Sequence, residues 1–368
     1  MQVLIEFEKN PLLFKDPKRI ISCHTHDEVV SCFVEMERAT ASGHYLAGFI
    51  SYEAGHAFEQ KLATDKGYDF PLIYMGVYEK PVKNVIDVRS SSRKATGDLR
   101  IVTTNISRSD YFEDIDAIRS FIERGDVYQI TYCMKFLLDH GADKYTLYRG
   151  LYDVQPVPYP AYIEADGFGV LSLSPELFMK KKGGLIVTKP MKGTWFREGF
   201  MNNIFGGHFL KHDPKNRAEN VMIADLLRND LGRIGRNVRA PRLFEVAGYR
   251  TLFQMTSTVT ADVARDIPLH DLFKALHPSG SVTGAPKIRA MEIIRELERE
   301  DRRIYTGAIG YIAPNKDLMF NVPIRTLLFR GSRGEMGVGG GIVWDSTPQG
   351  EWDECMIKAR FITGSKQG

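Results

Sequence analysis

Cysteine is scarce in this 368-residue chain: Cys23, Cys32, Cys133 and Cys355 lie far apart and form no Cys-x-x-Cys pair. That spacing offers no disulfide framework and fits free thiols in a reducing compartment. One-sided charge is also missing, since 49 basic against 46 acidic residues leave a net +3. No surface for nucleic acid is implied. No run of about 20 apolar residues occurs, and Glu6, Glu8 and Lys9 interrupt the start, so neither a membrane span nor a signal peptide is expected. A soluble cytoplasmic protein is the expectation. Internal repeats and low-complexity tracts are absent, and no Gly-Lys-Ser/Thr ending marks a Walker A loop. Cys23-His24-Thr25-His26 has no second ligand cluster at a useful spacing and reads as a plain loop.

What is present is ordinary globular composition, 43% hydrophobic and 26% charged, in a chain long enough to bury a large core. Tyr45–Tyr52 and Leu72–Tyr78 read as strands. A polar seam follows at Ile86–Asn105. Ser109–Arg124 reads as a helix with Tyr111, Ile115, Ile118 and Ile122 in one stripe and Gly125 as its stop. Val127–Leu138 and Pro160–Val187 read as strands, with hairpin turns at Asp166-Gly167 and Gly183-Gly184. Helices are expected at Lys215–Leu231, after Gly284 with Pro286 in the first turn, and at Glu351–Phe361. Ile304–Phe329 and Glu335–Trp344 complete the strands. Runs of strands between long helices give an α+β fold with largely antiparallel sheets. One unit is expected, β-rich over residues 1–100 and catalytic over 105–365.

Four segments carry chemistry. Glu176 and Lys192 come close if the chain folds back at Gly183-Gly184, which sets a carboxylic acid beside an amine whose pKa burial would lower. The plainer alternative is a cross-strand salt bridge. The small residues of Pro278–Lys287 lead into a helix N-terminus, which favours anions, or make an ordinary turn and cap. Glu219 shares a helical face with Met222, Ile223 and Leu226 and needs a cation or a raised pKa, with Arg228 or Arg233 as candidate partners. Glu351, Glu354 and Lys358 share a face of the last helix. With Glu219 the two carboxylates would make an all-oxygen Mg²⁺ site, and without it a solvated Glu354–Lys358 pair remains.

In this order the segments resemble the chorismate-binding family, which includes the component I subunits of anthranilate and aminodeoxychorismate synthases and the isochorismate and salicylate synthases. The strings that match are Gly125–Gln129, Ser174–Phe178, Pro190–Thr194, Ala218–Asn220, Asp225–Asp230, Gly280–Lys287, Tyr305–Gly307, Ile324–Thr326 and Gly339–Trp344. The resemblance implies a large antiparallel sandwich-like core flanked by helices. Lys192 stands where anthranilate synthases usually have alanine. Gln129 stands where isochorismate and salicylate synthases place a water-activating lysine. That combination is similar to the aminodeoxychorismate branch. Its implied mechanism is attack of Lys192 on C2 of chorismate as the C4 hydroxyl leaves, Glu176 being the acid. Ammonia then adds at C4 and expels the lysine.

The resemblance also implies Mg²⁺ on Glu219 and Glu354, with Glu351 close by, holding the ring carboxylate. The amides of Gly193 and Thr194 assist, with Ser281 and Lys358 nearby. Arg325, Tyr305 and the amides of Gly339, Gly340 and Gly341 grip the enolpyruvyl carboxylate. Thr131, Met191 and Asn216 depart from the family pattern, and Asn216 weakens any claim of a fourth acid at the metal. No Gly-x-Cys-x-Gly amidotransferase nucleophile occurs, so the expected ammonia source is free ammonia or a separate glutamine amidotransferase subunit. No fused lyase is expected after Lys358, which leaves pyruvate release, giving 4-aminobenzoate for folate or another product, to another enzyme. Anthranilate synthase component I and a non-catalytic chorismate-binding subunit are the alternatives.

Overall fold

Along the strand Gln129–Asp139, apolar Ile130, Tyr132, Met134, Phe136 and Leu138 alternate with Gln129, Thr131, Cys133 and Lys135. The apolar set joins a core with residues of the helices Arg108–Glu123, Lys144–Val154, Lys287–Leu297 and Pro348–Thr363. The polar set therefore faces the other side of the sheet. This one alternation locates the site.

The computed structural model describes residues 1–82, 99–141, 143–197, 199–248 and 252–363. Among these, two antiparallel sheets of nine and ten strands form the core. Residues from both sheets, among them Val3, Phe14, Phe49, Ile163, Val170, Ile309, Met319 and Leu328, make the layer between them. The second sheet packs its outer face on the helices His26–Ala41 and Leu269–Leu276 and on part of Pro214–Gly232. The N-terminal strands divide between the sheets: Gln2–Ile5 pairs with Tyr159–Ala165, and Tyr45–Ile50 pairs with Ala308–Ile312. No described helix is long and apolar enough to cross a membrane.

Several expectations shift. Residues 86–98 of the proposed seam lie outside the described residues. The strand at Tyr45 stops at Ile50 and a 3-10 segment, Tyr52–Phe58, follows. Ile304–Phe329 divides into Ala308–Ile312, Leu318–Asn321 and Thr326–Arg330. Pro286 is the N-cap of Lys287–Leu297 and not its first helical residue. Cys23 ends a strand and His26 begins a helix, with the His24 and His26 rings bonded to the carbonyls of Tyr68 and Glu53 at 2.9 and 3.1 Å. The helix Gly199–His212 left no mark in the pattern, because Gly206 and Gly207 interrupt it. Their bareness allows contact with Phe253: a Cβ on either would lie 3.0 to 3.2 Å from its ring.

Candidate active site

Lys192 lies on the strand Met191–Phe196, whose pairing with Leu252–Val263 slips between Met191 and Thr194. A bulge at Lys192-Gly193 re-aims the lysine away from the regular alternation, and Gly193 takes the left-handed φ of +97° that this needs. Asn220 donates to the Lys192 carbonyl at 3.3 Å, and Ser257 donates in turn to Asn220. The amine rests against Gly341, where an added Cβ would lie 3.0 Å from Lys192 Nζ and 2.2 Å from Gln129 Nε2. Burial lowers the Lys192 pKa, Lys358 adds to this, and Glu219, Glu176 and Glu354 oppose it. Those charges act at a distance.

Glu176 links the strands Phe168–Ser174 and Leu177–Lys182 and is 2% exposed. Its carboxylate accepts from Ser281 Oγ at 2.5 Å and from the Met191 N–H. Burial pushes its pKa up to about 7, against the opposing pull of Ser281 and Lys192. A carboxyl in that range is protonated often enough at neutral pH to act as an acid. Glu176 and Lys192 lie within electrostatic reach of each other but are not paired neighbours, since Leu177 pairs with Lys189 and Lys192 has moved to the next strand.

Ser281 sits in the short turn Gly280–Val282, and Gly284-Ala285 pairs with Gln129-Ile130. A Cβ on Gly280 would meet Leu226 Cδ2 at 2.6 Å, so the turn is wedged against the helix Pro214–Gly232. The segment is stitched to the sheet. Arg302 holds it there, donating to the Val282 and Thr131 carbonyls at 2.8 and 2.7 Å and pairing with Glu298.

The opposite face of the same strand end is acidic. A Cβ on Gly340 would lie 2.7 Å from Glu351 Oε2, 3.8 Å from Glu354 Oε1 and 3.9 Å from Lys358 Nζ. Successive residues face opposite ways. Lys192 therefore approaches at Gly341 and the helix carboxylates at Gly340. Pairing of the strand Arg333–Ile342 with Thr326–Arg330 stops at Met336, while its pairing with Gln129–Asp139 runs on to Ile342. One edge of Gly339–Gly341 thus has no strand partner among the described residues, which leaves backbone groups for a ligand. Lys358 Nζ donates to the Gly339 carbonyl at 2.6 Å and to Glu354 at 2.6 Å.

Burial raises the pKa of Glu219, and the charge partners that offset this are Lys192, Lys215 and Lys358, not Arg228 or Arg233. Arg228 pairs with Asp225 instead. Burial also raises Glu351, which accepts from Ser346 at 2.6 Å. Glu354 is lowered, chiefly by Lys358. Burial lowers the Lys358 pKa, but Glu354, Cys355 and Glu351 together outweigh it and the value is raised. The donor set is all carboxylate oxygen beside an open strand edge, which suits Mg²⁺ in kind. As they stand, no three described acidic, His or Cys side chains are gathered to hold a metal. Lys358 and Ser346 occupy Glu354 and Glu351.

Of the remaining expected residues, Tyr305 lies further out. Tyr305 packs on Gly337, where a Cβ would meet its ring at 2.3 Å, and its hydroxyl bonds to Cys133. Gly337 is four residues from Gly341, about 13 Å at strand rise. Thr306 and Arg325 both take left-handed backbone angles, φ 61° and 51°, which are unfavourable for side-chain-bearing residues. Thr306 N–H bonds to the Pro323 carbonyl at 3.1 Å, so these two segments brace each other. Thr194 pairs with Gln254 beside the bulge. Sequence reasoning missed Ser257 and Ser279; Ser257 belongs to no motif, and its contact with Asn220 spans 37 positions.

The family profile of chorismate binding enzymes matches residues 7–364. Aminodeoxychorismate synthase component 1 of Klebsiella aerogenes is 33% identical over 340 residues, 86% of this chain and 75% of that protein. The same-named Bacillus subtilis protein is 37% identical over 258 residues, 68% of this chain, so that the chain spans about half (54%) of that relative's length. In structure, the 2,3-dihydroxybenzoate-specific isochorismate synthase of Bacillus anthracis superposes with a TM-score of 0.81 at 18% identity, covering 98% of this chain and 94% of that one. That likeness establishes the shared fold. The chain belongs to the chorismate binding enzyme family.

Proposed function

We propose that this chain aminates chorismate at C4, giving 4-amino-4-deoxychorismate. The observation that carries the reading is Lys192: a half-buried residue whose amine has a lowered pKa and is aimed by a bulge at Gly341 and Gln129, with a partly protonated acid, Glu176, acting on it. Lowering an amine's pKa favours its neutral, nucleophilic form, and raising a carboxyl's favours its proton-donating form. The Lys192 lone pair bonds to C2, the ring double bonds shift, and the C4 hydroxyl departs as water with the Glu176 proton. Ammonia bonds to C4, the double bonds shift back, and Lys192 leaves as the neutral amine. The new ammonium returns a proton to Glu176.

Asn220 and Gly193 keep the lysine aimed, and Gln129, lacking an ionisable amine, does not activate water for attack at C2. Glu219, Glu351 and Glu354 are the residues that would hold Mg²⁺. When bound, the ion neutralises and orients the ring carboxylate. Arg325 and the free edge of Gly339–Gly341 would take the second carboxylate. Ammonia comes free from solution or from a glutamine amidotransferase subunit, for which the relatives' "component 1" names are the support.

The test is incubation with chorismate, Mg²⁺ and ammonium, with products identified by mass. Aminodeoxychorismate is expected. Fluorescent anthranilate formed without a lyase would show C2 chemistry instead, and chorismate binding without product at saturating ammonia would mark a non-catalytic subunit.

A further inference from the structure

Behind Ser281 stands a second hydroxyl. Ser279 Oγ lies 2.9 Å from Ser281 Oγ, and Ser281 lies 2.5 Å from Glu176 Oε1. All three residues are buried, with exposures of 2, 4 and 2%. A serine has one proton to give. Ser281 gives its proton to the Glu176 carboxylate, so Ser279 is the donor in the serine–serine bond. A hydroxyl that accepts a hydrogen bond becomes a stronger donor. The backbone of Ser279 is fixed independently, its carbonyl accepting from Val282 N–H at 3.1 Å and from Thr283 Oγ1 at 3.2 Å. The Ser279 hydroxyl is therefore not needed to hold the turn.

We propose that Ser279 is a positioning residue for the Glu176 acid, acting through Ser281 by locking and strengthening its donation to the carboxylate. The role rests on the C4-amination reading but makes its own prediction about Glu176. Lys192 is the titratable side chain that acts on Glu176; residues 279–283 and 321–323 bring only neutral groups to it. Donation to a carboxylate favours its ionised form. Loss of the Ser279 hydroxyl thus makes Glu176 a weaker acid.

The primary readout does not need turnover. The carboxyl band of Glu176, assigned by infrared difference against Glu176→Gln, is titrated in the parent and in Ser279→Ala. The midpoint should rise by about half a pH unit in the variant, and Ser279→Thr should restore it. In steady-state amination, with ammonia saturating at each pH, the alkaline limb should move the same way, kcat should fall severalfold, and KM for chorismate should stay within about twofold. An unmoved midpoint overturns the role, whether or not the rate falls. If Ser279→Ala does not fold, Ser279→Cys, a weaker donor of similar size, should give a smaller upward shift, and no shift overturns the role equally. A parent that titrates as described yet forms no aminodeoxychorismate would count against the functional reading alone.

Discussion

The Lys192 amine and Gly341 are in contact that no other residue at 341 would permit: a Cβ there would lie 3.0 Å from Lys192 Nζ and 2.2 Å from Gln129 Nε2. Gln129 is fully buried and cannot swing aside without disturbing the sheet. Gly341→Ala is therefore expected to displace both groups. A misplacement near 1 Å is worth about a hundredfold in rate, and overpacking costs about 1–3 kcal/mol. Steady-state kinetics and thermal unfolding measure the two effects, and wild-type kcat/KM in this variant would contradict the placement of the amine.

Lys192→Ala removes the group to which the reaction is assigned. Amination at C4 should fall at least about a thousandfold, with chorismate binding retained. Intact-mass analysis of the parent, quenched during turnover, should show an adduct at Lys192 that the variant lacks. Unchanged aminodeoxychorismate output would exclude the covalent step.

Glu176 should make the fold pH-dependent. Its ordinary value is 4.5 and its folded value about 7. Below 4.5 both folded and unfolded chains hold the proton. Between 4.5 and 7 the unfolded chain releases it first, so stability falls as pH rises, and above 7 the loss is complete. The interval corresponds to about 3 kcal/mol. Urea titrations of the parent and Glu176→Gln should show the difference in stability moving toward the variant by up to that amount between pH 4.5 and 8. A pH-independent difference would mean that burial does not act on Glu176 as described.

Lys358 competes for the carboxylates that would take Mg²⁺, since it pairs with Glu354 at 2.6 Å. Lys358→Gln should tighten Mg²⁺ binding in the absence of substrate by about tenfold, and Glu354→Gln should weaken it by at least as much. Calorimetric titration with the metal alone reads both. Equal affinities in the parent and the two variants would remove Glu354 from the metal site.

Much of this site was legible in the sequence because its chemistry sits in short strings. Glu176, Lys192 and Ser281 could be chosen from their own segments, and the helix faces of Glu219 and of Glu351, Glu354 and Lys358 follow from a period of 3.6 residues. Less legible was everything that depends on register. A hairpin at Gly183-Gly184 suggested that Glu176 and Lys192 meet across it. The chain passes Lys192 on to the next strand, and a bulge sets its aim. The helix Gly199–His212 escaped notice because its two glycines answer to Phe253, a residue more than 40 positions away.

Local sequence determined which groups are available: an amine, an acid, three more carboxylates and a run of glycines, each in a strand, turn or helix that its own residues specify. Tertiary structure alone decided that the amine and the helix carboxylates approach adjacent glycines from opposite faces, and that Ser279 stands behind Ser281. The reason is physical. Propensity and periodicity act over a few residues, whereas burial, which sets the proton affinities of Glu176 and Lys192, arises only when segments distant in the chain pack together.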